Sequence, residues 1–388
     1  MKNLALSIFL AALTVFLVIW LHQSELNGPP DRLAIGVVIP KSGDSKLGGD
    51  QMKEGIELAK DVLMQSRSKS ALPIELFYGD DRGQGEDGIV ALKSLIATYH
   101  VGALTGVVNS SVALALAPLL DEHKLVLVSG GASSPQLSGY SRFFFRTCPS
   151  DLEQARTMAR FARGSLGLSR IAILYPNNAY GLGLREPFRE AFVMLGGTIA
   201  AEDTFLSGAT DFASQFAAIK QSKPDAVYLI GDPKEIGRCV QHARHLGLHW
   251  RFLSVSSFTE PEVLSIAGTD ADGVISTDTR FDPDSPYPAT RRFVELFKLQ
   301  HSGRVPGALA ATGFDALTVL VTALDEAKGE MSRVPDLLKA IHGLDGRDFE
   351  GAAGPIRFDE NGDVRRPVRL TEVRNGVLVP SVPREPVK

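Results

Sequence analysis

Two loops rich in hydroxyl groups and glycine have the composition of an anion-binding site. Ser110 falls between an apolar strand and a helix, and the segment VSGGASSPQL (128–137) places Gly131, Ala132 and Ser133 just after the next strand. Serine hydroxyls and backbone N–H groups at a helix start donate to anions, and glycine lets a backbone approach a ligand closely. These loops predict a carboxylate site. The alternative for Ser110 is a purely structural role as a helix N-cap.

Acidic and aromatic residues follow strands later in the chain. Asp151 and Asp232 are candidates to pair with a ligand ammonium group, and a helix N-cap is the alternative for each. Tyr180, in YPNNAYGLGLRE, is a candidate aromatic wall or hydroxyl donor, or else a buried structural tyrosine. Ser256 ends the apolar segment WRFLSVS. We expect these side chains to line the same cleft as the hydroxyl-rich loops.

Patterns typical of catalysis are missing from the sequence. It contains no G-x-S-x-G, H-E-x-x-H, P-loop or paired C-x-x-C motif. His242 and His245 share a helix face near Cys239, but Gly247 is expected to end that helix before His249, so a solvated polar face is favoured over a zinc site. We therefore expect neither an enzyme nor a metal or other cofactor.

The composition of the 388 residues excludes some partners. Charged residues make up 22%, hydrophobic residues 44%, and the net charge is −4, so nothing predicts a basic surface for nucleic acid. The two cysteines, Cys148 and Cys239, are too few for a disulfide framework in a chain of this size. Whether they pair is left open by the sequence.

The N-terminus predicts export. An apolar run without a charge extends from Leu4 to Leu21, and at about 1.5 Å per residue a helix of this length approaches the thickness of a bilayer core. Residues 1–22 are therefore a signal peptide or an uncleaved membrane anchor, and 23–32 form a polar linker. Both alternatives place the rest of the chain in the periplasm or elsewhere outside the cytoplasm, in the second case attached to the inner membrane.

From Leu33 onward, short continuous apolar runs alternate with amphipathic segments. This pattern predicts parallel strands covered by helices on both faces, and it restarts after residue 150. We expect an α/β fold of two doubly wound lobes, preceded by an apolar N-terminal helix. Ligands of such sheets bind beyond the carboxyl ends of the strands, where the candidate residues fall. Two tail segments, 354–364 and 369–380, are predicted strands with hairpin-type turns.

The order of these motifs resembles the type I periplasmic binding proteins, in particular the branched-chain amino-acid (Leu/Ile/Val) binding components of ABC transporters. The resemblance extends from about Leu33 to Pro380. It rests on the motifs IGVVIPKSGDSKLGGDQMKEGIELA, YGDDRGQGEDGIVALKSLI, VSGGASSPQL, FFRTCPSD, RIAILYPNNAYGLG, DFASQFAAIKQSKPDAVYLIG and ATGFDALTVLVTAL.

The resemblance implies that the chain crosses between the lobes three times, through a three-stranded hinge. The crossings are expected near residues 147–150, 276–280 and 328–350. The first lobe would then comprise residues 33–147 and 279–328, and the second lobe residues 148–278 and 340–380, with a C-terminal tail at 381–388.

The resemblance also implies roles for the candidate residues. Ser110, Gly131 and Ser133 match positions that hold a ligand carboxylate, Asp151 and Asp232 match ammonium partners, and Tyr180 matches an aromatic of the second lobe. Two features depart from the family pattern. Ser256 falls near a position that is often acidic, and the loop KSGDSKLGG lacks the aromatic common near its end.

The function implied is the capture of an amino acid, an amide or another small carboxylate by hinge closure, followed by delivery to the membrane subunits of an ABC permease. The alternative is a membrane-tethered sensor that presents its closed form to a signalling partner. The sequence does not separate these two functions.

Overall fold

A computed structural model describes residues 31–279, 281–327, 334–343 and 349–381. The predicted N-terminal apolar helix and all of the predicted tail (381–388) except Ser381 lie outside the described residues. Within them the chain forms two α/β lobes, each built on a largely parallel sheet with helices on both faces.

The first lobe contains a sheet in the order β13-β5-β4-β3-β1-β2, with every neighbouring pair parallel. All seven residues of its first strand are buried, as expected for a parallel strand covered on both faces. Its elements are β1 (Leu33–Ile39), α1 (Lys46–Ser66), β2 (Ile74–Asp80), α2 (Gly85–Tyr99), β3 (Ala103–Gly106), α3 (Ser110–His123), β4 (Val126–Ser129), β5 (Phe144–Pro149), α9 (Pro288–Gln300), α10 (Ala308–Glu326), α11 (Val334–Gly343), the short hairpin of β11 (Glu350–Gly351) and β12 (Gly354–Pro355), and β13 (Asp363–Val364).

The second lobe contains a sheet in the order β15-β14-β10-β9-β8-β6-β7. Strand β14 is antiparallel to both of its neighbours, and the other described pairs are parallel. The elements are α4 (Asp151–Arg160), β6 (Arg170–Pro176), α5 (Ala179–Met194), β7 (Thr198–Phe205), α6 (Ala213–Ser222), β8 (Ala226–Leu229), α7 (Pro233–His245), β9 (Arg251–Ser254), α8 (Pro261–Ala267), β10 (Ile275–Asp278), β14 (Arg369–Arg374) and β15 (Val377–Pro380).

Successive residues of the central strands enter cores on opposite faces of the sheet. In β6, Ile171 and Ile173 pack in one buried cluster, whereas Ala172 and Leu174 pack in another. Helix α10 is long and apolar enough to cross a membrane, but most of it is buried against α1 in the first lobe, which identifies it as a core helix.

The third crossing differs from the sequence expectation. Residues 340–380 were assigned as a whole to the second lobe, but Asp363 and Val364 pair with β5 of the first sheet. Ile356 and Phe358 are buried in the first-lobe core, which fixes this segment there because apolar side chains would otherwise be exposed. The crossing therefore lies between Val364 and Arg369, and the predicted strand 354–364 is broken into two short strands.

The other two crossings lie between β5 and α4 and between β10 and Phe281, whose ring packs against Phe293 of the first lobe. The tail hairpin predicted at Asn375-Gly376 is present. Both turn residues have positive φ, and Arg374 pairs with Val377, which is the geometry of a two-residue turn. The tail hairpin thus adds two strands to the second sheet, and β15 forms one of its edges.

Candidate ligand-binding site

A cavity of about 380 Å³ lies between the lobes, at the carboxyl ends of both sheets. Its size is that of a small-molecule site. Seven of the eight residues singled out from the sequence line it: Ser110, Gly131, Ser133, Asp151, Tyr180, Asp232 and Ser256. The topology thus brings together residues from six separate loops, up to 146 positions apart in sequence.

Ala132 is the exception, and its expected role as a ligand contact is corrected by the structure. Its side chain is fully buried behind the cavity wall. Its N–H donates to Ser129 Oγ at 3.1 Å and its carbonyl accepts from Arg146 Nη1 at 3.2 Å. Both backbone groups are therefore occupied within the protein, and Ala132 supports the loop instead of facing the solute.

The first lobe contributes hydroxyl and backbone groups. Asn109 is the N-cap residue of α3, so Ser110 is the first helical residue and not the cap. Its Oγ accepts from Ser134 N at 3.1 Å, which leaves the hydroxyl proton available to a ligand. A Cβ added to Gly131 would lie 2.8 Å from Val108 Cα, so glycine here lets the two loops pack closely beside the cavity.

Asp151 occupies the first crossing and is tied to both lobes. It is 1% exposed; one carboxylate oxygen accepts from Ser133 Oγ at 2.7 Å, and the other accepts from the Gln154 amide. Burial raises the pKa of Asp151 to about 6, against the lowering effect of these two hydrogen bonds. Because Ser133 gives its only hydroxyl proton to Asp151, it orients this acid and is not free to donate to a carboxylate.

Gln154 continues this network toward the second sheet. Its Oε1 accepts from Ser256 N at 3.1 Å and from Thr277 Oγ1 at 2.7 Å. Ser256 thus takes part through its backbone, where the family pattern often has an acid. An acid is nevertheless close, because Glu260, four residues further along, also lines the cavity.

Tyr180 lies at the start of α5, where Asn178 caps the helix by accepting from Gly181 N at 2.9 Å. Its hydroxyl is 3.4 Å from Ser257 Oγ. Ser257 donates to Gly231 O at 2.6 Å, so the tyrosine is the donor of this pair. Burial, and then the Asp151 carboxylate, raise the pKa of Tyr180 well above its usual value, so it remains a neutral hydroxyl.

Asp232 is the N-cap residue of α7 and also lines the cavity, so its structural role as a cap does not remove it from the cavity wall. Its N–H donates to Glu235 Oε2 at 3.0 Å. Burial, followed by the nearby Asp44 carboxylate, raises the pKa of Asp232 to about 6, and burial together with Asp232 raises the pKa of Glu235 to about 7. Like charges held close together favour a cationic ligand group.

Arg366 is a cavity residue that the sequence reasoning missed. It lies in the third crossing, its side chain is 8% exposed, and Nη2 is 3.5 Å from Asp315 Oδ2. Burial lowers its pKa and Asp315 opposes that shift. The only signal in the sequence was the pair Arg365-Arg366 before a proline, which had no interpretation while the crossing was placed earlier in the chain.

The two cysteines are buried free thiols. Cys148 lines the cavity beside the hinge, and burial raises the pKa of its thiol to about 12. It is therefore a neutral, apolar part of the wall.

Comparison with known proteins agrees with this architecture. A family model described as periplasmic binding protein matches residues 32–377. The chain belongs to the periplasmic binding protein family. This family consists of solute-binding proteins and not of enzymes, and its members lie in the periplasm or elsewhere outside the cytoplasm.

Relatives of this periplasmic binding protein include Leu/Ile/Val-binding protein homolog 3 of Brucella melitensis biotype 1. It is 26% identical over 337 residues, which cover 86% of this chain and 89% of the relative. The leucine-binding protein LivK of Thermotoga maritima has a crystal structure with a TM-score of 0.82 and 30% identity, covering 90% of this chain and 98% of that chain.

A second solved structure widens the range of solutes bound on this fold. A solute-binding protein of an ABC transporter from R. palustris, in complex with benzoate, has a TM-score of 0.80 at 21% identity and covers 91% of this chain and 98% of that chain. At this identity the likeness concerns the fold alone. Together the comparisons confirm the resemblance to type I binding proteins of the branched-chain amino-acid family, and they support solute binding.

Proposed function

We propose that the protein binds an amino acid or a related small polar solute in the cavity between its lobes and delivers it to an ABC permease. One observation carries the proposal. Neutral donors of the first lobe, represented by Ser110, and two acids, the buried Asp151 and the half-buried Asp232, line the same cavity. A molecule with a carboxylate and an ammonium group would satisfy both sets at once.

Hinge closure is the mechanism that this arrangement favours. The lobes are joined only by short crossings in the part of the chain that the structure describes, and a solute that contacts both walls binds the closed form more tightly than the open one. The lobes already touch where a Cβ on Gly183 would lie 2.6 Å from Ser134 Oγ. Small-angle scattering should show a decrease in the radius of gyration on ligand addition. In Gly183→Val this decrease should be smaller, because the valine side chain would meet Ser134 as the lobes close.

The available contacts are sufficient for the affinity expected of such a protein. A charge-assisted hydrogen bond contributes about 1.5–3 kcal/mol, and micromolar binding needs about 8 kcal/mol. Several such bonds to the two ends of an amino acid, with burial of its side chain, reach that value without any covalent step.

A thermal-shift screen tests binding directly. The full chain in mild detergent is heated with amino acids, amides and aromatic acids in turn, since a ligand that binds only the folded state raises the Tm. We expect at least one amino acid to raise the Tm in a concentration-dependent way. A screen in which only compounds without an ammonium group do so would contradict the amino-acid proposal.

Delivery to a permease is tested by copurification. We expect membrane subunits of an ABC transporter to copurify with the full chain, and the ligand to increase their recovery. The relatives named above favour transport over the sensing role. Fractionation of membranes and periplasm, with mass spectrometry of the N-terminus, distinguishes an anchor at residues 1–22 from a cleaved signal.

A further inference from the structure

Arg366 places a buried positive charge on the hinge side of the cavity. Its side chain is more than nine-tenths buried, and its only ion pair that the structure records is with Asp315 at 3.5 Å. Among the described residues, neither Nε nor Nη2 has a hydrogen-bond partner. Burying a guanidinium without acceptors is costly, because the donors lose water and gain nothing in return.

Asp315 does not supply the missing acceptors. It is fully buried, and its two carboxylate oxygens accept from the backbone N–H groups of Ala352 and Ala353. Asp315 is therefore a shared partner: it balances the charge of Arg366 at 3.5 Å while its oxygens also accept from these two backbone groups. The protein thus balances the charge of Arg366 but encloses Nε and Nη2, so a solute would meet the guanidinium only where it lines the cavity.

Most lining residues near the crossings are apolar or uncharged, and the exception besides Arg366 is Asp151, whose oxygens accept from Ser133 and Gln154. Cys148, Phe281, Ala353 and Thr312 line the hinge side of the cavity. The Cys148 thiol is neutral, because burial raises its pKa to about 12. An apolar wall with a single guanidinium suits a short aliphatic chain that ends in an anionic group.

The opposite wall differs in its charge. Near the start of α7 it carries the acids Asp232, Glu235 and Glu260 together with the bases Lys234 and Arg238. Lys234 lies 3.9 Å from a carboxylate oxygen of Glu262. A ligand ammonium has several acids to approach on this side, whereas the hinge side carries Arg366 as well as the acid Asp151.

We infer that the solute carries a second carboxylate, at the end of a short side chain, and that Arg366 binds it. The inference rests on the proposed function and narrows it from amino acids in general to acidic ones. The α-carboxylate would contact Ser110 and the ammonium Asp232, while the side-chain carboxylate would approach Arg366 where its guanidinium lines the cavity.

Calorimetric titration of the full chain with L-glutamate, L-glutamine and L-leucine tests this inference. We expect L-glutamate to bind at least about tenfold tighter than the other two, since a charge-assisted pair distinguishes it. Arg366→Gln should remove most of that preference and leave the affinity for L-leucine within about threefold. If Arg366 only balances Asp315, the relative affinities for the three ligands will not change.

Arg366→Lys is a second variant in case Arg366→Gln fails to fold. Lysine keeps the positive charge beside Asp315 but lacks the planar guanidinium. We expect it to fold and to bind L-glutamate more weakly than the parent protein. If the parent protein binds L-leucine as tightly as L-glutamate, the inference is wrong, but the proposed function is not affected. If none of the three binds, the inference is wrong, and a negative wider screen would then reject the proposed function too.

Discussion

The loops after β3 and β4 in the first lobe and the loop after β8 in the second lobe contribute different groups to the cavity. The first-lobe loops offer a hydroxyl of Ser110 and the backbone at Gly131. The second-lobe loop offers Asp232 and, one turn into α7, Glu235, whose pKa values are raised to about 6 and 7, mainly by burial. Removing a neutral donor from water costs little free energy. Placing several ionised carboxylates close together is unfavourable unless a cation binds between them.

This difference gives each wall a separate role. The first lobe can hold the anionic end of a solute at any pH, because hydroxyl and amide donors do not titrate in the working range. The second lobe responds to the sign of the ligand and to pH, since its acids must be ionised to hold an ammonium group. Changes to the second wall should therefore have the larger effect on binding.

The largest effect is expected from reversing the charge of the second wall. Asp232→Lys should weaken the binding of an amino acid by about 100-fold or more, because an attraction is replaced by a repulsion in a buried site. Calorimetry with L-leucine and with 4-methylpentanoate, which has the same carbon skeleton but no ammonium group, checks this. Glu190→Lys, an equal change on an exposed site of α5, should leave both affinities unchanged. Equal losses for the two ligands in Asp232→Lys would contradict the ammonium role.

Lowering the pH should weaken ligand binding through the same acids, but by less than the charge reversal at Asp232. At about pH 5 roughly a tenth of each carboxyl of pKa about 6 is ionised, so the affinity for an ammonium ligand should be about 10- to 100-fold lower than at about pH 8. Titrations at the two pH values measure this. A ligand without an ammonium group serves as the control and should not lose affinity.

As pH rises, the affinity for an ammonium ligand should increase, whereas the free energy of unfolding of the ligand-free protein should decrease. The folded pKa values of Asp151 and Asp232 lie above the unfolded value of 3.8, so between these values the folded state binds more protons than the unfolded state. Their contribution to the free energy of unfolding therefore decreases as pH rises through about 6. Asp232→Asn should flatten this part of the Tm profile, and an unchanged profile would contradict the raised pKa of Asp232.

The sequence predicted the lobes and most of the cavity because both depend on local signals. Continuous apolar runs such as LAIGVVI mark buried parallel strands, and the polar residues that follow such runs must lie at the carboxyl edge of a sheet. Ser110, Asp151 and Asp232 were found in this way, although no signal showed whether their side chains face a ligand or the protein.

What the sequence did not predict depends on pairing over long distances. The third crossing is fixed by a two-residue strand, Asp363–Val364, which joins a partner more than 200 positions away and is too short to show periodicity. Arg366 was missed for the same reason. The prediction that Ala132 contacts the ligand was wrong. Hydrogen bonds to Ser129 and Arg146 orient its loop, and such contacts leave no pattern in the sequence.

Removing one donor from the first wall should have a smaller effect than charge reversal in the second. Ser110→Ala should weaken amino-acid binding by about tenfold, corresponding to one charge-assisted hydrogen bond at ~1.5 kcal/mol. Calorimetry measures the affinity, and Ser222→Ala, which removes a hydroxyl bonded to Ile219 O outside the cavity, is the matched control. An affinity within twofold of the parent protein would exclude Ser110 from the carboxylate site.

The smallest effect on affinity is expected for Ser133→Ala, although this serine also lines the first wall. Its proton is given to Asp151 Oδ2, so it acts as a positioning residue for an acid and not as a donor to the ligand. At about pH 8, where Asp151 is ionised with or without Ser133, the affinity should change by less than about threefold.

The same substitution should move the pH dependence of binding. The Ser133 hydrogen bond lowers the pKa of Asp151, so its loss should raise that pKa and shift the midpoint of the binding profile to higher pH. Ser110→Ala, by contrast, should lower the affinity at every pH without moving the midpoint, because its hydroxyl contacts no titrating group among the described hydrogen bonds. A uniform loss in Ser133→Ala would mean that this serine donates to the ligand after all, and that the two serines of the first wall are equivalent.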